Sequence, residues 1–220
     1  MLPLPKPILC WVTDRRSLFA SSSEDPAQAA LLAALARPAA ADLDWIQIRE
    51  KDLSGKSLAA LARAALRLAR PGQRILLNDR LDVAMAAGAH GVHLGESSLP
   101  AAEVTRWLRS SAAPPDFLVG VSCHSLESAR AAAQAGASYI FFGPVFATPS
   151  KAAFGPPQGL ERLADVCRAV RIPVLAIGGI TAANAAACLS AGASGIAAIR
   201  LFQDPAAPLE TLRRSLAGNP

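Results

Sequence analysis

Short apolar segments recur at even intervals from one end of the chain to the other. They are rich in Val, Ile, Leu and Phe, and such nearly continuous apolar runs are typical of strands buried on both faces of a parallel sheet. The sequence therefore predicts eight strands, at 8–13, 43–48, 74–78, 91–94, 117–122, 139–143, 172–177 and 195–199.

Ala- and Leu-rich stretches with helical spacing separate the predicted strands. Two of them, SLESARAAAQAG and TAANAAACLSAG, begin with a hydroxyl residue suited to a helix N-cap, which is Thr181 in the second, and end at a glycine that commonly stops a helix. Eight strand and helix units in 220 residues match the count and length of a compact (β/α)₈ barrel.

An open doubly wound sheet has the same alternation and is the competing fold. Two features favour the barrel: the units follow one another without a composition shift or a Pro/Ser-rich linker, and the phrase Ala-Gly-Ala-x-x-Ile/Val recurs at 87–92, 135–140 and 191–196. In each copy a helix stops at glycine and a strand starts within a few residues. We therefore predict an α/β fold, a single TIM barrel over residues 1–220.

The composition excludes several classes of protein. Hydrophobic residues make up 52% of the chain and charged residues 18%, the reverse of a disordered chain. The apolar runs are too often interrupted to cross a bilayer, and the N-terminal segment lacks the features of a signal peptide, so we expect a cytoplasmic protein without membrane contact. The four cysteines include no C-x-x-C pair, which favours reduced, packed thiols over disulfides or zinc.

The formal net charge of +5 leaves the kind of partner open at first. The basic residues are scattered rather than arranged in a stripe, and aromatic residues make up only 5% of the chain, so few side chains could stack on bases. We therefore expect a small anionic ligand and no nucleic acid. An Ala-rich helical exterior with few charges is also compatible with a homo-oligomer.

Chemistry in a TIM barrel lies at the carboxyl ends of the strands, and polar residues follow several predicted strands. In QIREKDLS the alternation places Gln47, Arg49 and Lys51 on one side of the chain, and two cations on one side suit a phosphate. In the alternative interpretation, Glu50 and Asp52 neutralise the two cations in a solvated loop.

Three further strand ends carry candidate ligands. Asp79, in the phrase NDR, could hold Mg²⁺ together with substrate phosphates, or could cap the following helix. GPVFATPSK offers the hydroxyls of Thr148 and Ser150 beside Lys151, a set that suits a phosphate or pyrophosphate, and a plain surface loop is the alternative. The Gly pair in AIGGIT lies where barrels often bind phosphate, although a Gly-Gly turn is a weak signal alone.

The roles of the histidines stay open at this point. His124, after the fifth strand, is a candidate proton shuttle near neutral pH, but a histidine satisfied by a hydrogen bond is at least as common an explanation. His93, in the fourth strand, points either into or out of the barrel. Cys123 has no evident activating base, because adjacent strand residues point to opposite faces.

Six motifs together resemble one known family. VTDR, QIREKDLS, LNDRLDVAMAAGAHGVHLGE, GVSCHS, FFGPVFATPSK and IPVLAIGGIT follow the order and spacing of the thiamine phosphate synthases, a family that also contains the TenI-like thiazole tautomerases. The resemblance runs from about residue 8 to residue 200. It implies a TIM-barrel transferase that joins hydroxymethylpyrimidine pyrophosphate to thiazole phosphate, uses Mg²⁺, and forms a pyrimidine carbocation when pyrophosphate leaves.

The resemblance also implies roles for individual residues, which agree with the chemistry. Stabilising a leaving pyrophosphate needs cations and a metal rather than a nucleophile. Asp79 would bind the metal, and Arg49, Lys51 and Lys151 would be the catalytic cations. The substrate-binding set would be Arg49, Lys51 and Asn78 on the pyrophosphate, Gln47 and Ser122 on the pyrimidine, Thr148, Ser150 and Gly179 on the thiazole phosphate, and Lys151 between the phosphate groups.

Two positions depart from the family pattern. Ser98 stands where the synthases carry an acidic second metal ligand, with Glu96 nearby as a hypothetical replacement, and Arg200 stands where they carry a small residue. These departures keep two alternatives open: a tautomerase that uses His124 for proton transfer, or a non-catalytic protein that binds thiamine intermediates. The intact Asp79 favours the synthase, because tautomerases tend to lose that aspartate.

Overall fold

A closed barrel of eight parallel strands forms the centre of the computed structural model, which describes residues 7–18, 24–37, 40, 42–148, 156–206 and 209–217. Each strand pairs with the next in sequence, and the last pairs with the first. The predicted TIM barrel is confirmed, with strand ends that differ from the predicted ones by at most two residues. The strands are β1 Ile8–Val12, β2 Trp45–Ile48, β3 Arg74–Asn78, β4 Gly91–Leu94, β5 Leu118–Cys123, β6 Tyr139–Phe142, β7 Val174–Ile177 and β8 Gly195–Ala198.

Helices connect the strands and pack around the barrel. Helices such as the third, fifth and seventh are amphipathic, so one face of each is buried, as Leu58 and Leu61 are in the third helix. The helices are α1 Arg15–Leu18, α2 Glu24–Leu35, α3 Gly55–Leu68, α4 Leu81–Ala87, α5 Ala101–Ser110, α6 Leu126–Gln134, α7 Gly159–Ala169, α8 Ala185–Ser190, α9 Arg200–Gln203 and α10 Leu209–Ala217.

Alternating side chains along the strands divide the apolar core into two parts. Residues such as Ile46 point outward and pack beneath the helices, whereas Trp45 points into the barrel. The interior is filled: the rings of Trp45 and Tyr139 lie 4.7 Å apart, and a Cβ atom added to Gly120 would lie 2.1 Å from Tyr139 Cζ. Ligands therefore have access to the barrel at its rim rather than along its axis.

Side-chain hydrogen bonds determine where two of the helices begin. Ser125 caps α6 as predicted, because its hydroxyl accepts from the Ser128 N–H and the Ser128 hydroxyl accepts from the Ser125 N–H. The predicted cap at Thr181 is wrong, since α8 begins only after Asn184. Asn184 accepts from the Thr181 N–H at 2.8 Å and donates to the Gly179 carbonyl at 2.9 Å, which holds the preceding segment in a turn.

The cysteines lie among the described residues, and none of them forms a disulfide. Cys10, Cys123 and Cys188 are buried, and burial raises the pKa of the Cys123 thiol to about 11. A thiol protonated at neutral pH is a poor nucleophile, so packing explains Cys123 better than catalysis. Within the described ranges no helix combines the length and apolar character needed to span a membrane.

Candidate active site at the barrel rim

The carboxyl ends of the strands bring two predicted residues into direct contact. Gln47 lies near the carboxyl end of β2, and its Nε2 atom donates a 3.1 Å hydrogen bond to Oδ1 of Asn78, the last residue of β3. Because this bond uses the Asn78 oxygen, the Asn78 amide N–H groups remain as donors at the rim. The geometry suits the predicted contact of Asn78 with a phosphate oxygen.

The other end of the Gln47 amide is an orphaned acceptor. Gln47 is only 2% exposed, and its Oε1 atom is buried with no hydrogen-bond partner among the described residues. A buried acceptor left unpaired costs about 1–3 kcal/mol, so such groups are rare unless something else satisfies them. Gln47 is thus suited to accept a hydrogen bond from an N–H group of a ligand.

The carboxylates beside Arg49 and Lys51 are bound by a third cation. Arg15 is 2% exposed, and its guanidinium lies 3.1 Å from Glu50 and 2.6 Å from Asp52. Hydrogen bonds from Arg15 lower the pKa of Asp52 to about 2. The interpretation in which Glu50 and Asp52 neutralise Arg49 and Lys51 is therefore wrong. In the described parts of the chain, neither Arg49 nor Lys51 forms an ion pair.

Thr13 connects this buried network to the loop that carries the two cations. Its hydroxyl donates to Glu50 Oε1 at 2.6 Å and accepts from the Arg49 backbone N–H at 3.0 Å. The backbone N–H of Arg15 donates to both Glu50 oxygens, at 3.1 and 3.2 Å. These hydrogen bonds hold the backbone of the loop in place. The Arg49 side chain is half-buried, and the Lys51 side chain is exposed.

Asp79 follows β3 in a conformation that residues with a Cβ atom rarely adopt. Its φ of 69° lies in the left-handed region, and its N–H donates to the His93 carbonyl at 2.8 Å. The structure does not support the helix-cap interpretation, because Arg80 occupies the cap position of α4 without a side-chain cap bond. Arg80 pairs instead with Asp82 at 2.6 Å. Asp79 is therefore an exposed carboxylate held at the rim in an uncommon backbone conformation.

The rim residues fit a metal ion that shares its ligands with a substrate. Nowhere in the described structure do three or more His, Cys, Asp or Glu residues form a cluster able to hold a metal alone. Mg²⁺ commonly binds one or two protein carboxylates and completes its shell with water and phosphate oxygens, which Asp79 beside a phosphorylated substrate would allow. Ser98 stands where the synthases carry a second acidic ligand. It offers no carboxylate, and its hydroxyl accepts a 2.7 Å hydrogen bond from the Gly95 N–H within its own loop.

Ser122 is joined to a histidine in the barrel interior. His93 points into the barrel and is 1% exposed, which answers the question that the sequence left open. Its Nε2 atom lies 2.9 Å from Ser122 Oγ, and its Nδ1 atom lies 3.0 Å from the Tyr139 hydroxyl. Burial lowers the pKa of His93 to about 3, so the imidazole is neutral at physiological pH.

His124 is half-buried at the end of β5. Its Nδ1 atom contacts the Gly143 carbonyl oxygen, and its Nε2 atom lies 3.6 Å from the Glu96 carboxylate. A carbonyl oxygen only accepts, so Nδ1 carries a proton. The ring therefore has the hydrogen bond expected of a satisfied histidine, and Nε2 is the atom that could exchange a proton.

The loop after β6 lies against the Gly pair after β7. The Phe146 N–H donates to the Gly178 carbonyl at 3.0 Å. A Cβ atom added to Gly179 would lie 2.6 Å from the Ala147 carbonyl oxygen, and the φ of Gly179 is 68°, so this approach requires glycine. The two motifs predicted to bind phosphate, one carrying Thr148 and the other Gly179, are therefore neighbours.

Some of the predicted residues cannot be placed in this geometry. Ser150 and Lys151 lie outside the described residues, and their roles stay predictions. Arg200 is exposed at the first residue of α9, directly after β8. In the same short helix the Gln203 amide donates to the Asp14 carbonyl at 2.8 Å, which connects the ends of β8 and β1.

Comparison with known proteins identifies the family. The family model described as thiamine monophosphate synthase matches residues 16–202. The thiamine-phosphate synthase of Roseiflexus sp. (strain RS-1) is 40% identical over 223 residues, 98% of this chain and 89% of that protein. The thiamine-phosphate synthase of Methanoculleus marisnigri is 48% identical over 167 residues, 75% of this chain and 77% of that protein.

A solved structure agrees with the sequence comparisons. Thiamine phosphate pyrophosphorylase from Pyrococcus furiosus matches with a TM-score of 0.78 and 30% identity, over 96% of each chain. The residues that the family model matches include every strand from β2 to β8 and the predicted site residues from Gln47 to Gly179. On these grounds the chain belongs to the thiamine monophosphate synthase family.

Proposed function

We propose that this protein is a thiamine-phosphate synthase, a transferase that condenses hydroxymethylpyrimidine pyrophosphate with thiazole phosphate. The observation that supports this proposal most strongly concerns the charged neighbours of Arg49 and Lys51. Among the described residues both cations lack a carboxylate partner, although two carboxylates lie next to them in sequence and are bound by Arg15. Two cations without a carboxylate partner, on the loop that follows β2 and next to the strand that ends at Asn78, suit a pyrophosphate group.

Departure of pyrophosphate is the step that these cations would assist. The bond between the pyrimidine methylene carbon and the bridging oxygen breaks, and its electron pair leaves with the pyrophosphate. Negative charge grows on the leaving oxygens, where Arg49, Lys51 and the Asn78 amide would stabilise it. Fixed donors and cations are effective in this role because they need little reorganisation as the charge develops.

Asp79 would hold Mg²⁺ against the same pyrophosphate. When bound there, the metal would supply positive charge to the leaving oxygens. Asp79 suits this task because its carboxylate is exposed at the rim and because it directly follows Asn78 in the sequence.

The pyrimidine cation must then meet the thiazole ring. Gln47 and Ser122 would hold the pyrimidine edge, the former through its orphaned Oε1 acceptor. The thiazole nitrogen donates its electron pair to the methylene carbon, which forms the new C–N bond without loss of a proton. The thiazole phosphate would bind Thr148 and the Gly179 backbone, together with the other predicted residues of the same loop, Ser150 and Lys151.

Product analysis tests the proposal. With Mg²⁺ and both substrates, the purified protein should form thiamine phosphate and pyrophosphate in equal amounts, measured by chromatography and a phosphate assay. Arg49→Met should lower kcat/KM at least tenfold, because it removes a cation from the leaving group. Arg67→Met removes an exposed arginine in the last turn of α3, at the far end of that helix from the rim, and should have little effect. Absence of both products would contradict the proposal.

His124 supports a second candidate, a thiazole tautomerase. Its ring is held through Nδ1 and leaves Nε2 as the proton-exchanging atom. A tautomerase would isomerise a thiazole carboxylate phosphate, and His124→Ala would abolish that activity. If the protein binds thiamine phosphate tightly but catalyses neither reaction, the binding-protein alternative is favoured instead.

A further inference from the structure

We propose that His93 and Tyr139 are positioning residues that make the Ser122 hydroxyl a hydrogen-bond donor toward the substrate. The three side chains form one hydrogen-bonded chain from the barrel interior to the rim. Ser122 Oγ lies 2.9 Å from His93 Nε2, and His93 Nδ1 lies 3.0 Å from the Tyr139 hydroxyl. The identity of the substrate rests on the proposed function, whereas the direction of the hydrogen bonds follows from the geometry.

A neutral imidazole allows only two directions for this chain, because it has one N–H group and one lone pair. In the first, Tyr139 donates to His93 Nδ1, and the His93 Nε2–H group donates to Ser122. In the second, Ser122 donates to Nε2, and the Nδ1–H group donates to the Tyr139 oxygen. The two directions differ in which hydroxyl group, that of Ser122 or that of Tyr139, has a proton that is not donated within the chain of three side chains.

Burial decides between the two directions. Tyr139 is 0% exposed, and across the described residues its hydroxyl contacts no acceptor other than His93. The second direction would therefore leave a buried O–H donor unpaired, which native proteins avoid. The first direction satisfies every buried donor and leaves the spare proton on Ser122, which is half-buried at the rim.

The surrounding packing holds the chain in place. The His93 ring lies 4.1 Å from the Phe141 ring, and the Tyr139 ring lies 4.7 Å from Trp45. A Cβ atom at Gly120 would lie 2.3 Å from the Tyr139 hydroxyl oxygen and 2.6 Å from His93 Nδ1. Glycine at this strand position is therefore required for the His93–Tyr139 contact to exist.

A fixed donor at Ser122 has a consequence for specificity. It favours a substrate ring that presents an acceptor, such as an aromatic nitrogen, over an analogue with a C–H group at that place. Because the His93 Nε2–H group uses one of the two lone pairs of the Ser122 oxygen, Ser122 does not donate to His93 and keeps its O–H proton for the substrate. His93 and Tyr139 thus act through Ser122 and do not touch the substrate themselves.

The tautomer of His93 can be measured without any substrate. The chain has three histidines, so ¹⁵N-histidine labelling gives three imidazole spin systems. The His90→Gln and His124→Gln variants assign the His93 signals by elimination. We expect a protonated Nε2 and an unprotonated Nδ1. A protonated Nδ1 with an unprotonated Nε2 would overturn the proposal, and this outcome does not depend on whether the protein is a synthase.

A double-mutant cycle tests the effect on binding. Tyr139→Phe keeps the ring and removes the hydroxyl, so His93 can change tautomer and Ser122 can turn its proton inward. We expect about a tenfold increase in KM for the pyrimidine substrate with a smaller change in kcat, which is the size of one hydrogen bond. In a Ser122→Ala background, Tyr139→Phe should have no further effect on KM. An equal increase in KM in both backgrounds would show that Tyr139 has a merely structural role.

Discussion

Several single residues at the rim are held in states that a barrel does not need for folding. Asp79 has a left-handed backbone, Gln47 has a buried acceptor without a partner in the described structure, and His93 is a buried neutral imidazole. The left-handed backbone of Asp79 and the unpaired acceptor of Gln47 cost about 1–3 kcal/mol each. Their concentration at one end of the barrel supports the assignment of the site there, since such costs are usually found where a ligand binds.

Substitution of Asp79 should separate its backbone cost from its chemical role. Asparagine tolerates the left-handed region about as well as aspartate, and glycine does so without strain. We expect Asp79→Asn to change the free energy of unfolding by less than about 0.5 kcal/mol and Asp79→Gly to leave it unchanged or raise it by up to about 1 kcal/mol. Both variants should lose Mg²⁺-dependent turnover at least tenfold. If both retain turnover, Asp79 is not a metal ligand.

The buried imidazole of His93 should make stability depend on pH. The pKa falls from its ordinary value of 6.5 in the unfolded chain to about 3 in the folded protein. Between these values the unfolded chain binds more protons, so the free energy of unfolding decreases as the pH falls from about 6.5 toward 3. The His93 contribution to the slope is at most about 1.4 kcal/mol per pH unit.

Urea unfolding at pH 7 and pH 5 measures this contribution. The His93→Asn variant lacks the titrating group, so the difference in slope between wild type and variant isolates His93 from other groups such as His90. Equal slopes in the two proteins would contradict the assignment of a buried, neutral His93.

At the scale of elements, the turns after β1 and β2 behave as one unit. Arg15, which follows β1, contacts Glu50 and Asp52, which follow β2, and Thr13 contacts both Glu50 and the Arg49 backbone. These contacts join segments that lie 35 to 37 positions apart in sequence. Their effect is to keep two carboxylates away from the cationic side chains at the rim.

Removal of Arg15 should affect both stability and substrate affinity. Arg15→Met leaves Glu50 buried without its cation, and breaking a buried ion pair in this way costs about 3–5 kcal/mol. The released carboxylates would also compete with pyrophosphate for Arg49 and Lys51, which should raise KM for the pyrophosphate substrate. Chemical unfolding and steady-state kinetics measure the two effects.

Arg16→Met is the matched control for Arg15→Met. Arg16 contacts the same Asp52 at 2.7 Å, but its side chain is 69% exposed. An exposed ion pair contributes about 0–1 kcal/mol, so this substitution should be nearly neutral. If the two variants lose similar stability, the buried network is not what holds the two turns together.

For the whole molecule, sequence and structure agree best where the signal is local. The eight strands could be predicted because each is a short apolar run bounded by glycine or polar residues. The start of α8 could not, because the Asn184 side chain binds the Thr181 N–H and the Gly179 carbonyl and holds the residues before α8 in a turn. The direction of His93 could not either, since both faces of the strand GVHL are buried and alternation alone does not tell which face lines the barrel.

The site was predictable as a set of residues but not as a network. Gln47, Asn78 and Ser122 lie in the last residues of their strands, at the rim as expected. The ion pairs of Arg15 were missed, because they depend on carboxylates distant in sequence. Gly120, a glycine inside a strand, was the available signal for a close contact in the barrel interior. The Mg²⁺ cofactor, the cytoplasmic location, the absence of a nucleic-acid partner and the homo-oligomer stay predictions.

Measurement of pyrophosphate release shows whether the rim of this barrel catalyses the synthase reaction. Wild-type protein is mixed with hydroxymethylpyrimidine pyrophosphate and thiazole phosphate, and Mg²⁺ is titrated while pyrophosphate is measured. We expect release that requires Mg²⁺, yields one thiamine phosphate per pyrophosphate, and falls at least tenfold in Arg49→Met and in Asp79→Asn. Release that is absent in wild type, or unchanged in both variants, would contradict the proposed function.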